Sequence, residues 1–182
     1  PYASCRYTHP PVEAVISLCK EHGIWAENVC GIEVETYDLA VSGHDHQVIK
    51  GAYSAKMSTP YSVSVALLFG KAGLQEFSDE VLSSELVQIL TKKVKVYANE
   101  EFSAIFPQKQ SAIVTIQTTD GNYTKRVDFP KGEPENPLSE DEFRIRYEDL
   151  MSFGGIRSHI YSSVYNKINR LDIEITELIN EL

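Results

Sequence analysis

Between residues 59 and 70 the chain offers water almost nothing. Thr59-Pro60-Tyr61 leads into Val63, Val65, Ala66, Leu67, Leu68 and Phe69, and Gly70 follows. Ser58 or Thr59 can cap a helix here, and Pro60 can take the first position, where a missing N–H costs nothing. Gly70 can end it. A helix that is apolar nearly all round is a buried helix. The rest of the chain must therefore cover it. Hydrophobic residues, at 42% of 182, suffice for a core of that kind.

The flanking periodicities show what does the covering. Pro10 and Pro11 suit a first helical turn, and Val12, Val15, Ile16 and Cys19 form one apolar stripe before Gly23 stops the helix. From Val29 the period becomes two. Ile32, Val34 and Thr36 alternate with Glu33, Glu35 and Tyr37, a half-buried strand with both glutamates toward solvent. The polar stretch 42–54 reads as loop, 79–90 as a short helix and 94–97 as a strand. Residues 112–118 and 123–129 flank Asp120-Gly121, the strongest hairpin signal in the chain. After a turn-rich stretch at 130–137, Ser139 and Glu142 form a capping box that opens a helix to about Phe153. Gly154-Gly155 breaks it. Two further helical segments fill 156–182, with apolar positions at Ile168, Leu171, Ile175 and Leu178. This segregated order predicts an α+β fold: a two-layer domain with a mainly antiparallel sheet packed by helices, plus C-terminal helices, all within one domain over 1–182.

Charge and composition exclude several function classes. With 17 basic and 26 acidic side chains the net charge is −9, which argues against nucleic-acid binding. No apolar run is long enough to span a membrane. Pro1-Tyr2-Ala3-Ser4 shows no leader pattern, so a cytoplasmic location is expected. Cys5, Cys19 and Cys30 are an odd set without a zinc spacing and read as free thiols. His44-Asp45-His46 lacks a partner ligand at useful spacing, so it reads as a solvated polar loop, and no metal is expected. Phosphate loops, nucleophile elbows and zinc-protease motifs are missing from the sequence.

Two helix starts carry the residues that matter for chemistry: Cys5-Arg6-Tyr7-Thr8-His9, and Lys56-Met57-Ser58-Thr59-Pro60-Tyr61. Each offers unpaired N–H groups, the positive end of a helix dipole and a cation, which together favour carboxylate or phosphate. If the two starts meet, they form a pocket for a polycarboxylate, and Arg6 and Lys56 overcome the acidic field of the chain locally. Plain structural readings stand beside these. Thr8 and Ser58 are natural helix caps, Arg6 and Lys56 natural surface cations, and Cys5 a small buried side chain. His9 can simply orient a turn, and Tyr61 can pack its ring and bond its hydroxyl.

Taken together the segments resemble the MmgE/PrpD family, which includes 2-methylcitrate dehydratase, cis-aconitate decarboxylase and iminodisuccinate epimerase. Residues 1–10 are similar to its PYxxCRYTHP segment, and 55–61 running into 66–70 to its AKxSxxY…ALLxG helix. Asp120-Gly121 stands at the family's hairpin, and 131–138 resembles its KGxPENP turn. The resemblance covers only the C-terminal, α+β "lid" part of such enzymes. It implies a partner: an N-terminal helical domain or subunit that completes the active site. Residues 139–182 are expected to return toward that domain. It implies further that His9 and Tyr61 are catalytic, and that Cys5, Arg6, Thr8, Lys56 and Ser58 bind a small di- or tricarboxylate. Cys5 stands where the decarboxylase-like pattern has a histidine. No cofactor is implied. The expected activity is that of half a dehydratase-like lyase; a same-family epimerase and a non-catalytic binding or assembly module are the alternatives. The apolar stripe of the last helices points to a homo-oligomer.

Overall fold

The computed structural model describes residues 1–168. The positions expected to be apolar at Leu171, Ile175 and Leu178 lie outside the described residues. A 3-10 turn at Arg6–Thr8 leads into α1 (His9–His22), which Gly23 ends in the left-handed conformation. β1 (Val29–Thr36) follows, then two short helices, α2 (Asp38–Val41) and α3 (Ala52–Lys56). Next come the buried helix α4 (Thr59–Phe69), α5 (Asp79–Leu82), α6 (Glu85–Lys93) and β2 (Val94–Ala98). The remaining elements are α7 (Glu100–Ile105), β3 (Ala112–Thr118), β4 (Gly121–Val127), α8 (Glu140–Phe153) and α9 (Ser158–Ile168).

The four strands form one sheet in the order β2-β1-β3-β4. β1 pairs antiparallel with β3, setting Val34 opposite Val114, and β3 pairs antiparallel with β4, setting Thr115 opposite Thr124. β2 joins β1 in parallel, with Ile32 beside Val94. The fold is therefore α+β with a mostly antiparallel sheet, as the order of elements predicts. The hairpin turn sits one residue earlier than expected, at Thr119-Asp120. Thr118 Oγ1 accepts the Asp120 N–H at 3.2 Å and donates to the Gly121 carbonyl at 2.9 Å, which draws Gly121 into the strand.

Helices cover one face of the sheet. α1 lies on β3 and β4, and α4 packs against α1, α6, α3 and β2. Every residue of α4 from Thr59 to Leu67 is buried, in accord with its all-round apolar sequence. Each fully buried Val or Leu of this layer contributes about 1.5–3 kcal/mol. A smaller cluster of Tyr37, Ala40 and Phe102, with Tyr7, Phe106 and Ile113 against it, forms a second core.

Some elements differ from the sequence reading. The helix expected at 79–90 is two helices separated at Ser83-Ser84. Stretch 42–54 holds the start of α3, and α2 and α7 are additional short helices. Helices of four to six residues gain little from propensity and depend on tertiary contacts, so periodicity does not reveal them. His44 is 8% exposed, while Ser42, Gly43, Asp45 and Gln47 around it are exposed, so the loop is solvated as expected and His44 alone turns inward.

Residues 2–137 form one compact unit, and Pro1 with the stretch from Leu138 onward forms another. In the second unit α8 opens with the expected capping box, Ser139 Oγ accepting the Glu142 N–H at 3.2 Å and Glu142 accepting the Ser139 N–H at 2.8 Å. Tyr147 on α8 donates to the Tyr161 carbonyl on α9 at 3.0 Å.

Candidate functional site

The two helix starts meet. The Cys5 N–H donates to the Lys56 carbonyl at 2.8 Å, and the 3-10 turn holding Arg6 packs against α4. The Thr59 N–H donates to the His44 carbonyl at 2.8 Å, so the 42–51 loop is fastened to the same junction. Three segments, distant in sequence, are thereby joined through backbone groups that a buried chain must satisfy.

Several of the expected site residues spend their polar atoms on holding this junction. Thr8 is fully buried but does not cap α1; its hydroxyl donates to the Cys5 carbonyl at 2.8 Å and shares a hydrogen bond with Ser4. Ser58 does cap α4, accepting the Tyr61 N–H at 3.1 Å while donating to the His46 carbonyl at 2.6 Å. Tyr61 is 1% exposed, donates its hydroxyl to the Glu76 carbonyl at 2.9 Å and packs beside Phe77. Burial pushes its pKa well above the ordinary phenol value, with Glu76 adding to the rise. His9 is buried, sets Nε2 3.2 Å from the Ser4 carbonyl and receives the edge of Tyr2. Cys5, Arg6 and Lys56 are partly exposed. Lys56 forms no ion pair among the described residues.

Beside this junction lies a set of groups that the sequence reading did not single out for substrate contact. The Tyr7 ring sits between Tyr37 and His44, with centroids 5.7 and 5.3 Å away and both pairs edge to face. Tyr37, the first residue after β1, stacks on Phe106 at 4.6 Å and is 1% exposed. Its hydroxyl has no hydrogen-bond partner among the described residues. Burial pushes its pKa strongly upward, Tyr7 adds to the rise, and the positive charge of Arg6 opposes it. His44 sets Nδ1 2.9 Å from the Ser42 carbonyl. A carbonyl only accepts, so Nδ1 carries the proton and Nε2 presents a lone pair in the neutral ring. That Nε2 is buried and has no partner among the described residues, and the same is true of Arg6 Nη1. Arg6 Nη2 is held by Glu133 Oε1. A guanidinium nitrogen, a phenol and an imidazole lone pair are thus buried unmatched around one aromatic junction. Such groups cost about 1–3 kcal/mol each when left unsatisfied.

A profile of the MmgE/PrpD C-terminal domain matches residues 2–155. The chain belongs to the MmgE/PrpD family. No curated protein matches it. In this MmgE/PrpD domain the match takes in the whole first compact unit and α8. Among the described residues no helix is long and apolar enough to cross a membrane. Cys5, Cys19 and Cys30 are free.

The groups missed from sequence differ in how visible they were. Glu133 lies in the turn resembling KGxPENP, and its charge was there to be seen. The strand pattern puts Tyr37 on the solvent side and the polar stretch puts His44 in a solvated loop, and neither pattern shows that the two side chains turn inward onto Tyr7.

Proposed function

We propose that this MmgE/PrpD domain is the substrate-binding half of a dehydratase-like lyase that acts, without a cofactor, on small di- or tricarboxylic acids. A helical domain or subunit completes it. The supporting observation is the buried, unmatched set of Arg6 Nη1, Tyr37 hydroxyl and His44 Nε2. Arg6 holds a substrate carboxylate through a charge-assisted bond, and Lys56 adds positive charge at the adjoining helix start. Tyr37 keeps its proton because burial raises its pKa, so it donates to the oxygen on which enolate-like charge develops. His44 Nε2 takes the proton from the carbon next to that carboxylate. The electron pair left behind forms the new C=C bond as the hydroxyl on the neighbouring carbon departs, protonated by an acid from the helical partner, as water. Thr8 and Ser58 hold the two helix starts through their hydroxyls, His9 and Tyr61 buttress the segments behind them, and Cys5 lies beside Arg6 at the substrate. The apolar positions in the C-terminal sequence support contact with the helical partner or a second copy.

The test is calorimetric titration of citrate into the 182-residue chain. The parent is expected to bind, and Arg6→Ala to weaken binding at least about tenfold. Equal binding by the variant defeats the reading. Native protein isolated with its helical partner should generate a near-ultraviolet absorbing C=C from a hydroxy-acid substrate. Exchange of the α-proton with solvent deuterium but no loss of water would replace the lyase with an epimerase.

A further inference from the structure

We infer that Glu133 is a positioning residue, held in place by Glu13, and that the two aim Arg6 at its ligand. The inference rests on the reading of Arg6 as the carboxylate holder. A guanidinium is planar, with Nη1 and Nη2 on one carbon. Fixing Nη2 therefore fixes the direction of Nη1. Glu133 Oε1 takes Nη2, and Nη1 is the nitrogen left buried without a partner. The two side chains are 33% and 31% exposed, so the ion pair alone is partly screened and would hold a long side chain weakly.

The turn around Glu133 supplies the missing stiffness. It closes on itself through Glu133 N–H to the Pro130 carbonyl at 3.2 Å, Asn136 N–H to the Glu133 carbonyl at 3.0 Å and Gly132 N–H to the Asn136 carbonyl at 2.9 Å. It is then tied to α1 by Glu13. One Glu13 oxygen accepts Asn136 Nδ2 at 3.0 Å, and the other accepts the Lys131 N–H. Asn136 Nδ2 also donates to the Phe129 carbonyl at 2.9 Å. Both oxygens of the Glu13 carboxylate are thus spent on N–H groups of the turn. Arg6 and Glu13 stand one on each side of the start of α1, and both grip the turn at 130–137. The result is a closed ring: Arg6, the start of α1, Glu13, the turn, Glu133 and back to Arg6.

The experiment uses the full 182-residue chain, citrate as the probe and the order parameter of the Arg6 Nε–H bond by NMR. Glu133→Ala and Glu13→Ala are each expected to weaken citrate about tenfold, and the double variant to be no weaker than either. Glu133→Gln keeps the acceptor and drops the charge, and should bind within about twofold of the parent. In both alanine variants the Arg6 order parameter should fall from the rigid range, about 0.85, to below about 0.6. If Glu13→Ala does not fold, Glu13→Gln, which keeps one acceptor, should give a smaller loss of both citrate affinity and Arg6 order. Citrate binding by Glu133→Ala that equals or exceeds the parent's, additive losses, or an unchanged order parameter would overturn the inference. Loss of citrate in Arg6→Gln with none in Glu133→Ala defeats this inference alone. No loss in Arg6→Gln defeats the site reading beneath it.

Discussion

Tyr37 keeps a phenolic hydroxyl at 1% exposure with nothing among the described residues to bond it. Its ring is well used, stacked on Phe106 and edged by Tyr7. Tyr37→Phe should therefore leave stability unchanged or raise it by up to about 1 kcal/mol in urea unfolding, while weakening citrate about tenfold. A variant that loses stability and keeps citrate would make the hydroxyl structural. Tyr61→Phe should do the reverse. It removes the bond to the Glu76 carbonyl, so about 1 kcal/mol of stability should disappear in the same unfolding measurement and citrate affinity should stay as it was. At this scale the sequence spoke clearly about Ser58, whose cap is present, and about Arg6 as a cation at a helix start. It could not tell that Tyr61 faces inward to Glu76. Nor could it show that Tyr37 and His44 share Tyr7, because such contacts join residues with no common period.

At the scale of elements, long patterns were legible and short ones were not. α1, α4, α8 and the β3–β4 hairpin each carry a stripe, an all-round apolar run, a capping box or an alternation long enough to read. α7 is capped by Asn99, which accepts from Glu101 N–H at 3.0 Å, but that signal is a single residue. The open end of the hairpin is secured by Asp128. Its carboxylate accepts from Ser111 at 2.7 Å, Arg126 at 2.8 Å and Lys109 at 3.3 Å. Burial alone would raise its pKa, but these three donors outweigh it and hold the carboxyl below its ordinary value. A group depressed in the folded state stabilises above its unfolded value, and that contribution disappears as pH falls through the folded value. Asp128→Asn should accordingly cost about 1–2 kcal/mol at neutral pH, with the gap from the parent closing between about pH 5 and pH 2 in urea titrations. A gap independent of pH would mean that the carboxylate charge is not what secures the hairpin.

Across the whole molecule, the main core draws all its buried members from Val12 to Val127, inside the first compact unit. A chain ended after Pro137 should therefore unfold in one cooperative transition, with a midpoint within a few degrees of the parent's, and should still bind citrate. Loss of cooperative unfolding would show that α8 and α9 belong to the core. The charge of −9 and the buried site fit together at this scale, since Arg6 and Lys56 need only act over the short distance inside the junction. The parallel pairing of Ile32 with Val94 has a further, kinetic consequence. Everything between those residues, including the loop of His44 and the whole of α4, must be looped out before β2 can add to the sheet. Such a distant closure is slow, whereas the β3–β4 hairpin is local and quick. The junction around Tyr7 thus closes with the last strand to dock. Backbone amides of the His44 loop that bond across it, Thr59 first among them, should exchange with solvent only through the same opening that releases the sheet.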